Sequence, residues 1–237
     1  MKRKTLRLVV SLSFVTVAML SGAGHAQAQA AKDPYPNMAP VEQYMMDRDA
    51  EIAMAKSAAP DSISKDAEVM VMGRHGYETA VKGKNGFVCM VERGWTANTD
   101  FPEFWNPKLR GPICFNPAAV RTYMPQTIMK TKAVLAGRTK EQMIAEVTAA
   151  LDSKELPQQE RGAMCYMMSK DGYLNDGAGH WHPHLMFFLP IADSATWGAN
   201  MDGSPVLSSD DPLGRLTIFM VPVGKWSDGT PAEASHH

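Results

Sequence analysis

Cysteine is scarce in this 237-residue chain, with three in all, so at most one disulfide forms within it and one thiol is left over. Positive charge is not in excess either. There are 24 Lys+Arg against 25 Asp+Glu, and without residues 1–28 the count is 20 against 25, a net −5. That balance argues against nucleic acid or anionic lipid as the main partner. Beyond the first 28 residues no stretch approaches the roughly 20 apolar residues a membrane helix needs, so no membrane span is predicted there. No serine-centred nucleophile elbow, phosphate-cradling P-loop or Gly-rich cofactor fingerprint occurs, and there is no internal repeat.

The N-terminus reads as a targeting segment. Lys2, Arg3, Lys4 and Arg7 precede an apolar stretch over 8–20, and Ala26, Ala28 and Ala30 offer small-residue cleavage points. Residues 1–28 are therefore expected to be a cleaved signal peptide, and the mature chain to be periplasmic or secreted. In an oxidising compartment one disulfide among Cys89, Cys114 and Cys165 is expected, with all three pairings open. A thiolate metal ligand is the alternative. The remainder has the size of one domain: an extended lead-in over 29–37, the domain over 38–226 and an exposed tail over 227–237.

Periodicity gives the elements. Pro40 suits the first turn of a helix reaching 58. Strands are predicted over 68–73, 77–82 and 87–92, the last two joined as a hairpin by Asn85-Gly86. The second of these puts Val88, Met90 and Glu92 on one face. Residues 94–116 read as a long aromatic loop that covers the core or walls a ligand cleft. Helical composition over 118–136 is broken at Pro125, and Thr139 with Gln142 forms a capping box for a helix to 153. Strands follow over 163–169, in the histidine-rich stretch, and over 216–223, with a polar loop over 193–211. The fold class is α+β: a single domain, a mostly antiparallel sheet and about three helices packed on it.

The chemistry-bearing stretch is Gly-His-Trp-His-Pro-His-Leu-Met, residues 179–186. In an extended run His180, His182 and His184 share one face, a candidate site for a transition metal such as zinc or copper. Neighbours two apart are about 7 Å from each other, so a pair of them can meet one ion while all three cannot. The third ligand has to come from His75, Cys165, Met186, Asp176 or Glu92. Eighteen methionines add soft donors, though methionine more commonly fills cores. The ordinary reading of the histidines is a polar strand edge, which Pro183 favours.

His180 to Pro183 resembles the His-x-His-Pro opening of JAMM-type metalloproteases and the His-x-His of cupins. The downstream serine and aspartate of the first and the glutamate of the second are missing. Arg74-His75-Gly76, at a strand end, resembles the signature of the histidine phosphatase superfamily. That resemblance implies a phosphohydrolase in which His75 takes the phosphoryl group and Arg74 binds its oxygens, with His180 or His182 as the second histidine. The chain departs from that family by running directly into another strand. Glu92-Arg93 and Glu103, beside the aromatic loop, read as a carboxylate pair or, more commonly, as a surface ion pair. Three functions are carried forward: metal binding, phosphoryl transfer, and non-catalytic binding of a small-molecule ligand or partner by the aromatic loop.

Overall fold

β3 (Val88–Glu92) and β4 (Gly111–Phe115) are apolar on both faces because both faces are covered. The computed structural model describes residues 34–232. An eight-stranded sheet in the order β2-β1-β3-β4-β5-β6-β8-β7 forms its frame. The remaining strands are β1 (Glu68–Gly73), β2 (Gly76–Val81), β5 (Met164–Met167), β6 (His184–Pro190), β7 (Leu207–Asp211) and β8 (Leu216–Pro222). All neighbours are antiparallel except β1 and β3.

Helix α1 (Arg48–Lys56), capped by the Asp47 side chain, packs on β1, β3 and β4 from one side. There Ala55, Ala58 and Ala59 meet Val69, Val91 and the Cys89–Cys114 disulfide, which joins directly opposed residues of β3 and β4. Short α2 (Asp61–Ser64) leads into β1. The other face holds the larger core under α3 (Pro117–Thr122), α4 (Met124–Leu135) and α5 (Lys140–Asp152). Tyr123 is the joint between α3 and α4, where Pro125, lacking an N–H, cannot continue the preceding ladder. The Thr139/Gln142 capping box opens α5.

Four departures from the sequence reading matter. The predicted helix from Pro40 is a 3-10 turn (Val41–Tyr44) followed by α1. Asn85-Gly86 does not join a hairpin, because β1 lies between β2 and β3. The loop instead wraps the start of β1: Lys84 N donates to the Asp66 carbonyl at 2.8 Å and Glu68 N to the Phe87 carbonyl at 2.9 Å. Gly83 is required there, since a Cβ would stand 2.1 Å from Glu68 N. The hairpin is β1–β2, turning through Arg74-His75 with Gly76 at φ +135°. Two strands, β4 and β7, fall inside stretches predicted as loops.

The expected signal peptide over 1–28 lies outside the described residues, as does most of the 29–37 lead-in. Residues 224–232, which include the described start of the predicted 227–237 tail, fold back on themselves, with Ala232 N donating to the Gly224 carbonyl and Trp226 buried. Among the described residues no helix is long and apolar enough to cross a membrane.

Candidate functional site

At the end of the sheet where β3, β5 and β8 finish and β4 and β6 begin, the helix-covered face is hollow. A cavity of about 360 Å³ opens there, within the size range of small-molecule sites, which starts near ~300 Å³. Its floor is the pleat: register puts Glu92 opposite Gly111, Met167 opposite His184 and Met186 opposite Met220, all on one face. Phe101, Pro102 and Leu109 of the strap over residues 94–110 form its roof, and Tyr123 and Trp181 its sides.

Two glycines shape it. A Cβ on Gly111 would touch Met167, Glu92 and Trp181 at 3.4–3.7 Å, so any larger side chain there would occupy the hollow. Gly172 lets the Trp181 indole lie against the backbone: a Cβ would stand 2.6 Å from its Cδ1. Trp181 Nε1 reaches the Arg110 carbonyl at 3.4 Å.

The polar groups are unusual for so apolar a chamber. His184 is 3 % exposed; its Nδ1 lies 2.6 Å from the His182 carbonyl oxygen, and its Nε2 is buried with no partner. A carbonyl only accepts, so Nδ1 carries the proton. Burial holds the ring below its ordinary pKa, so it is neutral near pH 7 and Nε2 is a bare acceptor. Burial also raises the Glu92 carboxyl to about 7, against the opposing pull of Lys130 and of the nearby Thr96 and Thr127 hydroxyls. Thr127 Oγ1 donates to it at 3.3 Å.

Behind Glu92 lies a polar layer beneath α4. Lys130, 1 % exposed, donates from Nζ to the carbonyls of Thr96 and Ala97, each at 3.1 Å, which fixes the first turn of the strap. Its burial lowers its pKa, with Asp211 and Glu92 opposing. Asp211 is 1 % exposed and its Oδ1 has no partner.

The expected surface pair Glu92-Arg93 is corrected. Arg93 is fully buried on the opposite side of the strand and bonds the Glu51 carboxylate at 3.0 Å and the Tyr44 carbonyl at 2.9 Å. Alternation along β3 turns Glu92 the other way, into the cavity wall. Glu103 is buried as well, accepting from Asn106 Nδ2 at 2.7 Å.

The histidines predicted to share a face do not line up. The strand begins only at His184, so Trp181 rather than His182 accompanies His184 at the cavity, with ring centroids 6.3 Å apart. His180 is exposed, with Nδ1 2.9 Å from the Trp181 carbonyl oxygen and its ring edge-on to Trp226. Among the described residues no three of His, Cys, Asp and Glu are grouped to hold a metal ion.

His75 and Arg74 occupy the exposed β1–β2 turn, where Arg74 pairs with Glu42 at 3.0 Å. Four strand spacings separate β1 from β6, about 19 Å, so His75 shares no cleft with His180 or His182. Cys165 is the free thiol, buried, with its pKa pushed up by burial. Trp105 of the aromatic strap packs into the core against Phe104.

Sequence reasoning passed over Lys130, Tyr123 and Asp211. The one signal for Glu92 was a carboxylate closing the apolar face Val88-Met90-Glu92. Comparison with protein families, with curated proteins and with solved structures finds no match to this chain.

Proposed function

We propose that this is an exported binding protein whose cavity beneath the 94–110 strap takes one compact organic molecule. The observation that carries the reading is the unpartnered Nε2 of His184, buried against an apolar chamber. Leaving such an acceptor unmade costs about 1–3 kcal/mol, which a bound donor would offset. The apolar walls supply the body of the affinity and the few polar atoms fix orientation, the usual division in small-molecule sites. Export rests on the basic and apolar N-terminal sequence together with the Cys89–Cys114 disulfide.

The test is thermal unfolding of the oxidised protein with a panel of compact amphiphiles, repeated on Met186→Trp, which fills the chamber. Ligand-induced stabilisation in the native chain that vanishes in Met186→Trp is expected. A panel that stabilises neither protein, or both equally, would remove the cavity from the account.

A further inference from the structure

The polar atoms around the cavity are sorted by sign. Its donors are already committed. Arg93 gives its guanidinium to Glu51 and to the carbonyls of Tyr44 and Val91. Thr96 gives its hydroxyl to the Arg93 carbonyl and Asn98 its amide to the Asp210 carbonyl, while Trp181 gives its indole N–H to Arg110. Behind the wall, Lys130 gives two of its three N–H donors to carbonyls. What remains along the wall are acceptors: the His184 ring, whose buried Nε2 has no partner, the half-buried Glu92 carboxyl at the floor and the exposed Asp100 carboxylate on the strap.

Charge follows the same division. Arg93, the one cationic residue at the cavity wall, turns its side chain to the other side of the strand, where Glu51 neutralises it at 3.0 Å. Glu92 and Asp100 form no salt bridge among the described residues. Lys130 is pulled first by the buried Asp211 and then by Glu92, so the layer is net acidic once Glu92 ionises, above about pH 7. The aromatic faces of Trp181, Phe101 and Tyr123 suit a positive charge over a ring. An anion entering this chamber would meet two carboxyl groups and no cationic side chain, with the second N–H of the Asn98 amide and the Tyr123 and Ser209 hydroxyls as donors.

We infer that the ligand is an organic cation with N–H donors, an alkyl- or aryl-ammonium whose apolar body fills the chamber and whose head group lies between His184 Nε2 and the Glu92 carboxylate. This rests on the cavity being a ligand site, as proposed above. The N–H donors of an ammonium are the complement of these acceptors, and its charge compensates the half-buried Glu92 carboxylate, which has no ion-pair partner among the described residues. Carboxylates, phosphates and sulfonates of the same shape are rejected.

The test uses three probes of one shape: phenethylamine, 2-phenylethanol and phenylacetate, titrated calorimetrically into the oxidised protein at pH 8. The amine is expected to bind at least ~10-fold more tightly than the alcohol, about 1.4 kcal/mol, with no binding of the acid. In Glu92→Gln, where the amide can still accept from Thr127, the amine's advantage should shrink to within about threefold. Asp100→Asn, at the exposed rim, gives a second reading of the same charge effect that does not depend on a buried substitution being tolerated. If the alcohol or the acid binds as well as the amine, the cation assignment is wrong while the cavity stands. If none of the three binds, both the assignment and the cavity reading fall.

Discussion

Asn98 donates its side-chain amide to the Asp210 carbonyl at 3.1 Å, a bond between the strap over the cavity and the edge strand β7, 112 residues away in sequence. It crosses the open side of the chamber, where Lys130 anchors only the strap's first turn. Asn98→Ala should release that side without unfolding the protein, since an exposed hydrogen bond is worth about 0.5–1.5 kcal/mol. Hydrogen exchange should show lost protection over residues 97–102 and little change in β3 or β4. Uniform loss across the sheet would mean the bond supports the fold and not the strap.

Gly172→Ala places a methyl where the Trp181 indole now lies, at 2.6 Å from Cδ1. Overpacking of this kind costs about 1–3 kcal/mol. Because the indole is one wall of the cavity, ligand affinity should fall together with stability. Gly137→Ala is a strained control, since Gly137 sits at φ +79° with open space around it. It should lose stability and keep affinity.

The Arg93–Glu51 pair is desolvated on both sides, at 0 % and 1 % exposure. Glu51→Gln leaves the guanidinium buried without a counter-charge, a loss of about 3–5 kcal/mol. The double change Glu51→Leu with Arg93→Met should recover part of that in urea unfolding. A double variant weaker than the sum of the singles would show that the pair is not coupled in this way.

Reduction of Cys89–Cys114 opens a loop whose ends are 25 positions apart in sequence. Chain entropy assigns about 3.5 kcal/mol to closing a loop of that length. A thiol assay on the oxidised protein should read no reactive thiol when folded and one per chain in denaturant, because Cys165 is buried with a raised pKa.

Glu92 makes stability depend on pH in a definite direction. Its folded pKa is raised from 4.5 to about 7, so the folded state holds the proton more tightly than the unfolded chain. The stabilisation is full below pH 4.5 and is lost as pH rises to about 7, by about 3 kcal/mol. Lys130 from α4 faces this carboxyl, and Tyr77, Tyr123 and Cys165 lie within its electrostatic reach. His184, with a lowered pKa, acts oppositely and loses stability as pH falls below 6.5. Subtracting the profile of Glu92→Gln from that of the native chain isolates the Glu92 slope. A flat difference between pH 4.5 and 7 would contradict the burial of that carboxyl.

Much of the frame was legible. The Thr139/Gln142 box marked the start of α5 and Pro125 the break before α4, because both signals act within one helical turn. The strands at Glu68–Gly73 and Leu216–Pro222 announced themselves by apolar runs. β4 was hidden by Pro112, tolerated opposite Val91, and β7 by the polar run Leu-Ser-Ser-Asp-Asp of an edge strand. The parallel pairing of β1 with β3 depends on a close approach at Gly83 that no local pattern encodes. The site was legible only in part. His184 was named among the candidates, but its partners at the cavity come from β3, β4, β5 and β8, and Trp181 joins it from the segment ahead of β6, which begins only at His184. The three-histidine face was an extrapolation of strand geometry one turn too far.

The most direct measurement is the ¹⁵N signal of the His184 imidazole, followed by NMR as phenethylamine is added to the oxidised protein. The account predicts that Nε2 begins as an unprotonated, unbonded nitrogen and shifts with saturation as it accepts a hydrogen bond, while the exposed His75 and His180 rings stay unchanged. A His184 signal that does not move while the ligand binds, or that moves no more than His75, would contradict the claim that this cavity is the protein's binding site.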